Sequence, residues 1–412
     1  MNKKILISVV VTLLAAIEII NSFQPTGYSF DVAASIDGHV FAVQGKVGMK
    51  IFKLDSNKSQ LELISILRPP KGNYFRNLKV VGDHAFIAAL PITEDAAEGG
   101  EVISVDISDP YHPKILDMGH VGTGMGLFIK DDLAFVAAGR EGLHIYDIHD
   151  PSSLKLVGSC KTPGTAWDVW VSEDHAFVAD HEKGMAIVDI SRPTYPKYLG
   201  QTYWRGISYM FSLNEEYEKH LEVGPVKKEL SDIFISNSFP LQDDATIAEE
   251  NEMEWTIAEN HEKRIRVKKE GENLNFYLID PCAEIVRGEG GVLYVAAGLQ
   301  GLIAIDVSDP SRPEIVTQYK PEKDAYCEGL AIRDGLLYLA CGNDVDPSSN
   351  GLIIIDFSDP SHPELVGKCP FSGLVEGVAL SEDRAVVANT QEGIALIDIS
   401  DVKVPTLLYR AA

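Results

Sequence analysis

One phrase recurs along the chain and limits what it can fold into. It reads Ile-Ser-Val-Asp106-Ile-Ser-Asp-Pro, then Leu-His-Ile-Tyr-Asp147-Ile-His-Asp-Pro, then Met-Ala-Ile-Val-Asp189-Ile-Ser-Arg-Pro, and it returns at Asp306, Asp356 and Asp398. A degenerate copy, Ile-Phe-Lys-Leu-Asp55, opens the series. Successive Asp residues lie 51, 41, 42, 117, 50 and 42 positions apart, a period close to 42 residues. A fixed period of that size signals stacked or radially repeated units.

Each unit holds four short apolar runs, as in Trp167–Val171, His175–Ala179, Met185–Asp189 and Lys197–Gly200. The runs are β-branched and aromatic and are bounded by Gly, Pro, Asp and Ser, which marks strands and turns. None is long enough for an ordinary helix. Four strands per unit predict an all-β chain, a β-propeller of four-stranded blades around a channel. The period excludes ankyrin and tetratricopeptide arrays, and HEAT units would need a helical periodicity that is absent. The repeated Asp ends the third strand, where its carboxylate can accept backbone N–H groups while Pro stops further pairing. Identical chemistry in six units argues for turn formation and against a metal role.

Gly184-Met-Ala-Ile-Val-Asp189-Ile followed by Pro-x-x-Pro-x-x-x-Gly resembles the LVIVD repeat family. Its members are secreted or surface-attached β-propellers of bacteria and archaea. The likeness spans about residues 30–200 and 280–410. It implies the architecture and an extracytoplasmic address, and no particular activity. Seven Asp-marked units predict seven blades, with the propeller over residues 28–412. The long interval exceeds one period by 75 residues. Residues 203–280 are therefore an insertion between blades four and five, or else a diverged eighth blade. The segment carries 17 acidic and 9 basic residues, two strand-like runs (232–237 and 275–280) and a helical pattern over 213–221.

Lys3 and Lys4 precede an apolar run from Ile5 to Ile20, followed by Asn21 and Ser22. This has the form of a secretory signal over residues 1–22, with an uncleaved anchor as the alternative. The expected location is secreted, periplasmic or cell-surface. A net charge of −25 disfavours nucleic acid and anionic lipid as partners. Any membrane contact is expected through the N-terminal segment alone. Five Cys at wide spacing make no disulfide framework, though Cys282 and Cys327 stand before corresponding strands and are a candidate pair.

The loops between fourth and first strands open on the same face as those between second and third strands. That face carries the length variation: the 203–280 insertion, the loop 91–100 and the loop 342–351. Reading back eight positions from the start of each second strand gives a column at the channel mouth: Asp31, Arg76, Met125, Trp167, Glu284, Glu328 and Glu376. The next column adds Asn77 and Asp168, and Asp180 with His181 ends a second strand on the same face. These residues are the candidate ligand site. Clustered acids raise one another's pKa and attract a cation, so Glu284, Glu328 and Glu376 are candidate metal ligands. In the loop Asn343-Asp344-x-Asp346-x-Ser348-x-Asn350, alternating oxygens suit Ca²⁺. It is no EF-hand, since Ile355 stands where the closing Glu belongs. Asp180 could orient His181 as a base. No His-Glu-x-x-His, P-loop or Gly-x-Ser-x-Gly motif occurs.

The reading favours an exported, monomeric binding module for a protein, peptide or glycan, with no assigned catalytic residue. No cofactor is required by it; Ca²⁺ or another divalent cation is the one candidate. The alternative is a metal-assisted hydrolase or lyase. In it Glu284, Glu328, Glu376 and Asp31 hold the ion or act as acid and base, and Arg76 holds an anionic group.

Overall fold

The structure is a computed structural model. It describes residues 30–411 except 35–37, 56, 58, 71–72, 92–100, 120–121, 205–206, 214–245, 250–251, 258–262, 271–272, 280–281, 322–324, 343–349, 374 and 391–392, and between 205 and 281 it describes backbone alone. The expected signal segment, Asp344, Asp346, most of loop 91–100, the run 232–237 and nearly all of the helical pattern at 213–221 lie outside the described residues.

Seven four-stranded antiparallel sheets form a ring. Blade 4 is typical: Asp168–Ser172, His175–Ala179, Met185–Asp189 and Lys197–Thr202, paired in that order. Each blade uses four consecutive strands. Among the described residues no strand is exchanged to close the ring. Instead Val32, Val40 and Ala42 of blade 1 pack against Val386, Ala388 and Leu396 of blade 7. Burial explains the sequence pattern. The second and third strands are covered on both faces by neighbouring blades, so Ala176–Ala179 and Met185–Val188 are continuously buried. The outermost strands face solvent on one side, and Lys114–Met118 alternates between exposed and half-buried.

The repeated Asp does what turn chemistry requires. Asp106, Asp147, Asp189, Asp306, Asp356 and Asp398 each accept the backbone N–H two residues on, at 2.8–3.0 Å. In each blade the third and fourth strands shift register beside this position, as at Ile187/Val188 and Ile354/Ile355. The turn also joins blades. The carbonyls of Pro110 and Pro151 accept Ser65 and Ser104 hydroxyls of the preceding blade at 2.6 Å.

The insertion is not an eighth blade. Trp204–Pro281 belongs to a compact unit apart from the propeller. Its sheet has five strands, ordered Ile207–Leu213, Asn273–Ile279, Lys263–Glu270, Glu252–Ile257, Thr246–Glu249. In the backbone register Glu252 is opposite Lys268 and Glu254 is opposite Arg266. Among the described residues no helix is long and apolar enough to cross a membrane.

The disulfide differs from expectation. Cys327 pairs with Cys341, not with Cys282. The two stand opposite one another on adjacent strands of blade 6, with Cα atoms 4.1 Å apart. Cys282 lies in the neighbouring blade and keeps a free, buried thiol.

Candidate functional site

The channel mouth is lined by Phe30, Arg76, Asn77, Met125, Trp167, Glu284, Ile285, Glu328 and Glu376, around about 30 Å³ of water-accessible space. Six of the seven positions in the predicted column meet there. The exception is Asp31. In blade 1 the paired residues Asp31 and Val43 are twelve positions apart, whereas Asp168 and Ala179 of blade 4 are eleven apart. The longer first hairpin moves the column by one, so Phe30 lines the mouth and Asp31 aligns with Asn77 and Asp168. Glu284 is correctly placed.

Local backbone aims these side chains. The first-strand register skips at Arg76, Glu328 and Glu376, leaving each as the extra residue of a β-bulge. A bulge turns one side chain out of the pleat, here into the channel. The glycines of the next column let blades close up. A Cβ on Gly126 would meet the Trp167 carbonyl, one on Gly329 the Glu376 carbonyl, and one on Gly377 the Phe30 carbonyl.

Asp31 and Asp168 serve as staples between blades. Asp31 accepts the Leu78 N–H at 3.1 Å and Lys79 Nζ at 3.4 Å. Asp168, fully buried, accepts the Val286 N–H at 3.1 Å and Arg287 Nη1 at 2.6 Å. Asn77 accepts Lys79 Nζ at 3.2 Å. Asp180 does not orient His181. Its buried carboxylate accepts the Thr162 hydroxyl at 2.6 Å and the Gly164 N–H at 2.7 Å, fixing the loop that delivers Trp167. Burial raises Asp180 to about 6 against the pull of those two bonds.

Aromatic and charged groups are layered at the mouth. The Arg76 guanidinium lies 4.8 Å from the Trp167 ring centre and 5.2 Å from that of Phe30. Trp167 stacks on the His181 imidazole at 5.0 Å with 22° between planes. Glu376 is pushed up to about 7: burial raises it, Arg76 opposes, and Glu284 and Asp31 add to the rise.

Beside this rim sits a cluster that the sequence did not reveal. His181 Nε2 is 3.4 Å from Glu284 Oε1 and 3.8 Å from Cys282 Sγ. Cys282 donates to Glu284 Oε1 at 3.0 Å, and the Tyr326 hydroxyl donates to the same oxygen at 2.9 Å. Burial alone would raise Glu284, but His181 and these two donors hold it well below the carboxylate range. Burial opposes the His181 charge too, and Cys282 and Glu284 outweigh it, keeping the imidazole protonated well above its usual range. Burial, with Glu284, pushes the Cys282 thiol up to about 12. His181, Cys282 and Glu284 are the His/Cys/acid group among the described residues close enough to share one metal ion. The expected set Glu284, Glu328 and Glu376 contributes only Glu284 to it. One sequence signal existed for the rest: Cys282 and Tyr326 share the column two positions before Glu284 and Glu328. A second cluster lies between blades 2 and 3, where buried Glu101 contacts His144 Nδ1 at 2.9 Å and accepts the Tyr146 hydroxyl at 3.2 Å.

A family model described as the LVIVD repeat matches residues 121–162, 163–202, 285–320, 330–370 and 372–411, which are blades 3 to 7. Blades 1 and 2 carry the architecture without the matched sequence. No curated protein matches the chain. Solved structures with a similar fold include a functionally unknown protein from Desulfotomaculum acetoxidans (TM-score 0.54, 11% identity, covering 94% of this chain and 95% of that one). YCF48 bound to D1 peptide is similar at TM-score 0.53 and 11% identity, with 92% and 94% covered. The computationally designed Ika8 protein is similar at TM-score 0.51 and 8% identity, with 91% and 97% covered. At these identities the likeness is one of fold.

Proposed function

The chain belongs to the LVIVD repeat family, and from that premise we propose that it is an exported interaction module that grips a cationic group of a partner protein or peptide at the channel mouth. The observation that carries this reading is the composition of the mouth. Three glutamates, Glu284, Glu328 and Glu376, face one resident cation, Arg76, beside the Trp167 ring. His181 lies against Glu284 and Arg76 acts on Glu376, and the acidic lining of the mouth suits a positive charge. A lysine ammonium, an arginine guanidinium or a peptide amine supplies it, with Trp167 and Phe30 as apolar walls. The size of the mouth supports a side-chain tip as the occupant. Pockets for whole small molecules measure roughly 300–1,000 Å³, against about 30 Å³ here.

The extracytoplasmic address is part of the proposal. The Cys327–Cys341 disulfide fits an oxidising compartment, as does the basic-then-apolar start of the chain.

Calorimetric titration with short peptides bearing one lysine, free or acetylated, tests the reading. Acetylation removes the charge and keeps the length of the side chain. Binding of the free form, lost on acetylation and lost in Glu328→Gln/Glu376→Gln, is the expected result. Equal binding of both forms, or none of either, refutes it.

A further inference from the structure

The cluster at the boundary of blades 4 and 5 shares Glu284 with the rim but has its own chemistry. We propose that His181 Nε2, Cys282 Sγ and Glu284 Oε1 form a three-ligand site for a borderline-soft divalent metal ion of the Zn²⁺ class, with a fourth position left for an exchangeable ligand. The three ligand atoms lie within a few tenths of an ångström of the spacing of an ion's coordination shell. Metal–ligand bonds of about 2.0–2.1 Å to N and O and about 2.3 Å to S, at tetrahedral angles, place ligand atoms roughly 3.3–3.6 Å apart. Here the three edges are 3.4, 3.8 and 3.0 Å. The ligand types exclude Ca²⁺, which takes a shell of oxygens, and suit zinc, which accepts imidazole, thiolate and carboxylate together.

Charge balance favours the same ion. A divalent cation with a thiolate, a carboxylate and a neutral imidazole sums to zero. A second anionic oxygen ligand would leave a buried negative charge, so Tyr326 acts as an outer donor to Glu284 Oε1 rather than as a ligand. His181 Nδ1 lies 3.4 Å from Glu182 Oε2, the carboxylate partner that orients a ligating imidazole.

The backbone at His181 points the same way. His181 has φ +41°. The matching positions in blades 1, 3 and 5 are Gly45, Gly139 and Gly298, at φ +46°, +53° and +54°. Among the described residues, the other non-glycine residues with positive φ, Asp131, Glu173, Asp334 and Glu382, all sit in the tight turns between first and second strands. Blade 4 places an imidazole where blades 1, 3 and 5 use glycine, a strained choice of the kind found at functional sites. Gly298 completes the site. A Cβ there would crowd Cys282 Sγ at 3.0 Å and the Tyr326 ring at 2.9 Å.

The test is metal binding by the full chain, stripped with chelator and reloaded. One Zn²⁺ or Co²⁺ per chain is expected. The Co²⁺ form is expected to show intense tetrahedral d–d bands and a thiolate-to-cobalt charge-transfer band. That band is lost in Cys282→Ser and retained in Cys160→Ser. His181→Gly keeps the backbone its sister blades use, so it folds, and it weakens Zn²⁺ binding by more than about 100-fold, beyond the loss typical of outer-shell changes. A chain that takes up no ion, a Co²⁺ spectrum without the thiolate band, or a band that survives Cys282→Ser overturns the proposal. Peptide binding by the metal-free chain separates this outcome from failure of the cationic-ligand reading.

Discussion

Glu376→Gln removes a carboxylate whose ionisation the folded state resists. The side chain is half-buried on a bulge and faces Glu284 and Asp31, with Arg76 the opposing charge. Its pKa of about 7 compares with 4.5 in an unfolded chain. A folded-state value raised in this way gives a contribution that is complete below pH 4.5 and is lost as pH rises through 7. The difference corresponds to about 3 kcal/mol, reduced to roughly 2 kcal/mol by solvent screening at the open mouth. Glutamine mimics the protonated acid. The variant is therefore expected to match the parent within about 0.5 kcal/mol at pH 4.5 and to exceed it by about 2 kcal/mol at pH 8. Urea unfolding at the two pH values, followed by circular dichroism with m held in common, measures this. An equal effect at both pH values, or a loss of stability at pH 8, refutes the argument that Glu376 is electrostatically frustrated.

Three further outcomes follow from the packing. Asp168→Ala strands the Val286 N–H and takes the carboxylate partner from Arg287, whose side chain is only 18% exposed, and should cost about 3–5 kcal/mol in urea unfolding, with Asp168→Asn costing less. Gly329→Ala drives a methyl into the Glu376 carbonyl and should cost about 1–3 kcal/mol by the same assay while weakening binding at the mouth. Replacing Cys327 and Cys341 by Ser opens a loop with a sequence separation of 14 residues and should cost about 3 kcal/mol by chain entropy, measured as a lower urea midpoint. An unchanged midpoint in any of the three contradicts the contact it was built on.

The fold was legible because its signals are local. An Asp that caps its own turn marks blades 2 to 7 whatever surrounds it. The inner column was legible for six of seven blades because second strands align without gaps, and it slipped at Asp31 because blade 1 has one extra residue in its hairpin. What Asp31 and Asp168 do was not legible. A buried staple and a ligand-facing acid have the same letter, and the difference lies in which neighbouring N–H they meet. The Cys282 cluster was hidden for a related reason. Its members are 101 positions apart at His181 and Cys282, separated by the insertion and joined only when blades 4 and 5 meet. The Cys327–Cys341 bond was within reach, since hairpin register in blade 6 sets these two opposite each other.

The most direct test of a cation-gripping mouth is a ¹³C NMR titration of the glutamate side-chain carboxyls in the full chain, alone and with saturating methylguanidinium. The account predicts that the free chain has one carboxyl titrating near pH 7, assigned by its loss in Glu376→Gln, and that the bound cation lowers that midpoint by at least about one pH unit, as an opposite charge at 4–6 Å does. An unmoved midpoint at saturation would contradict it.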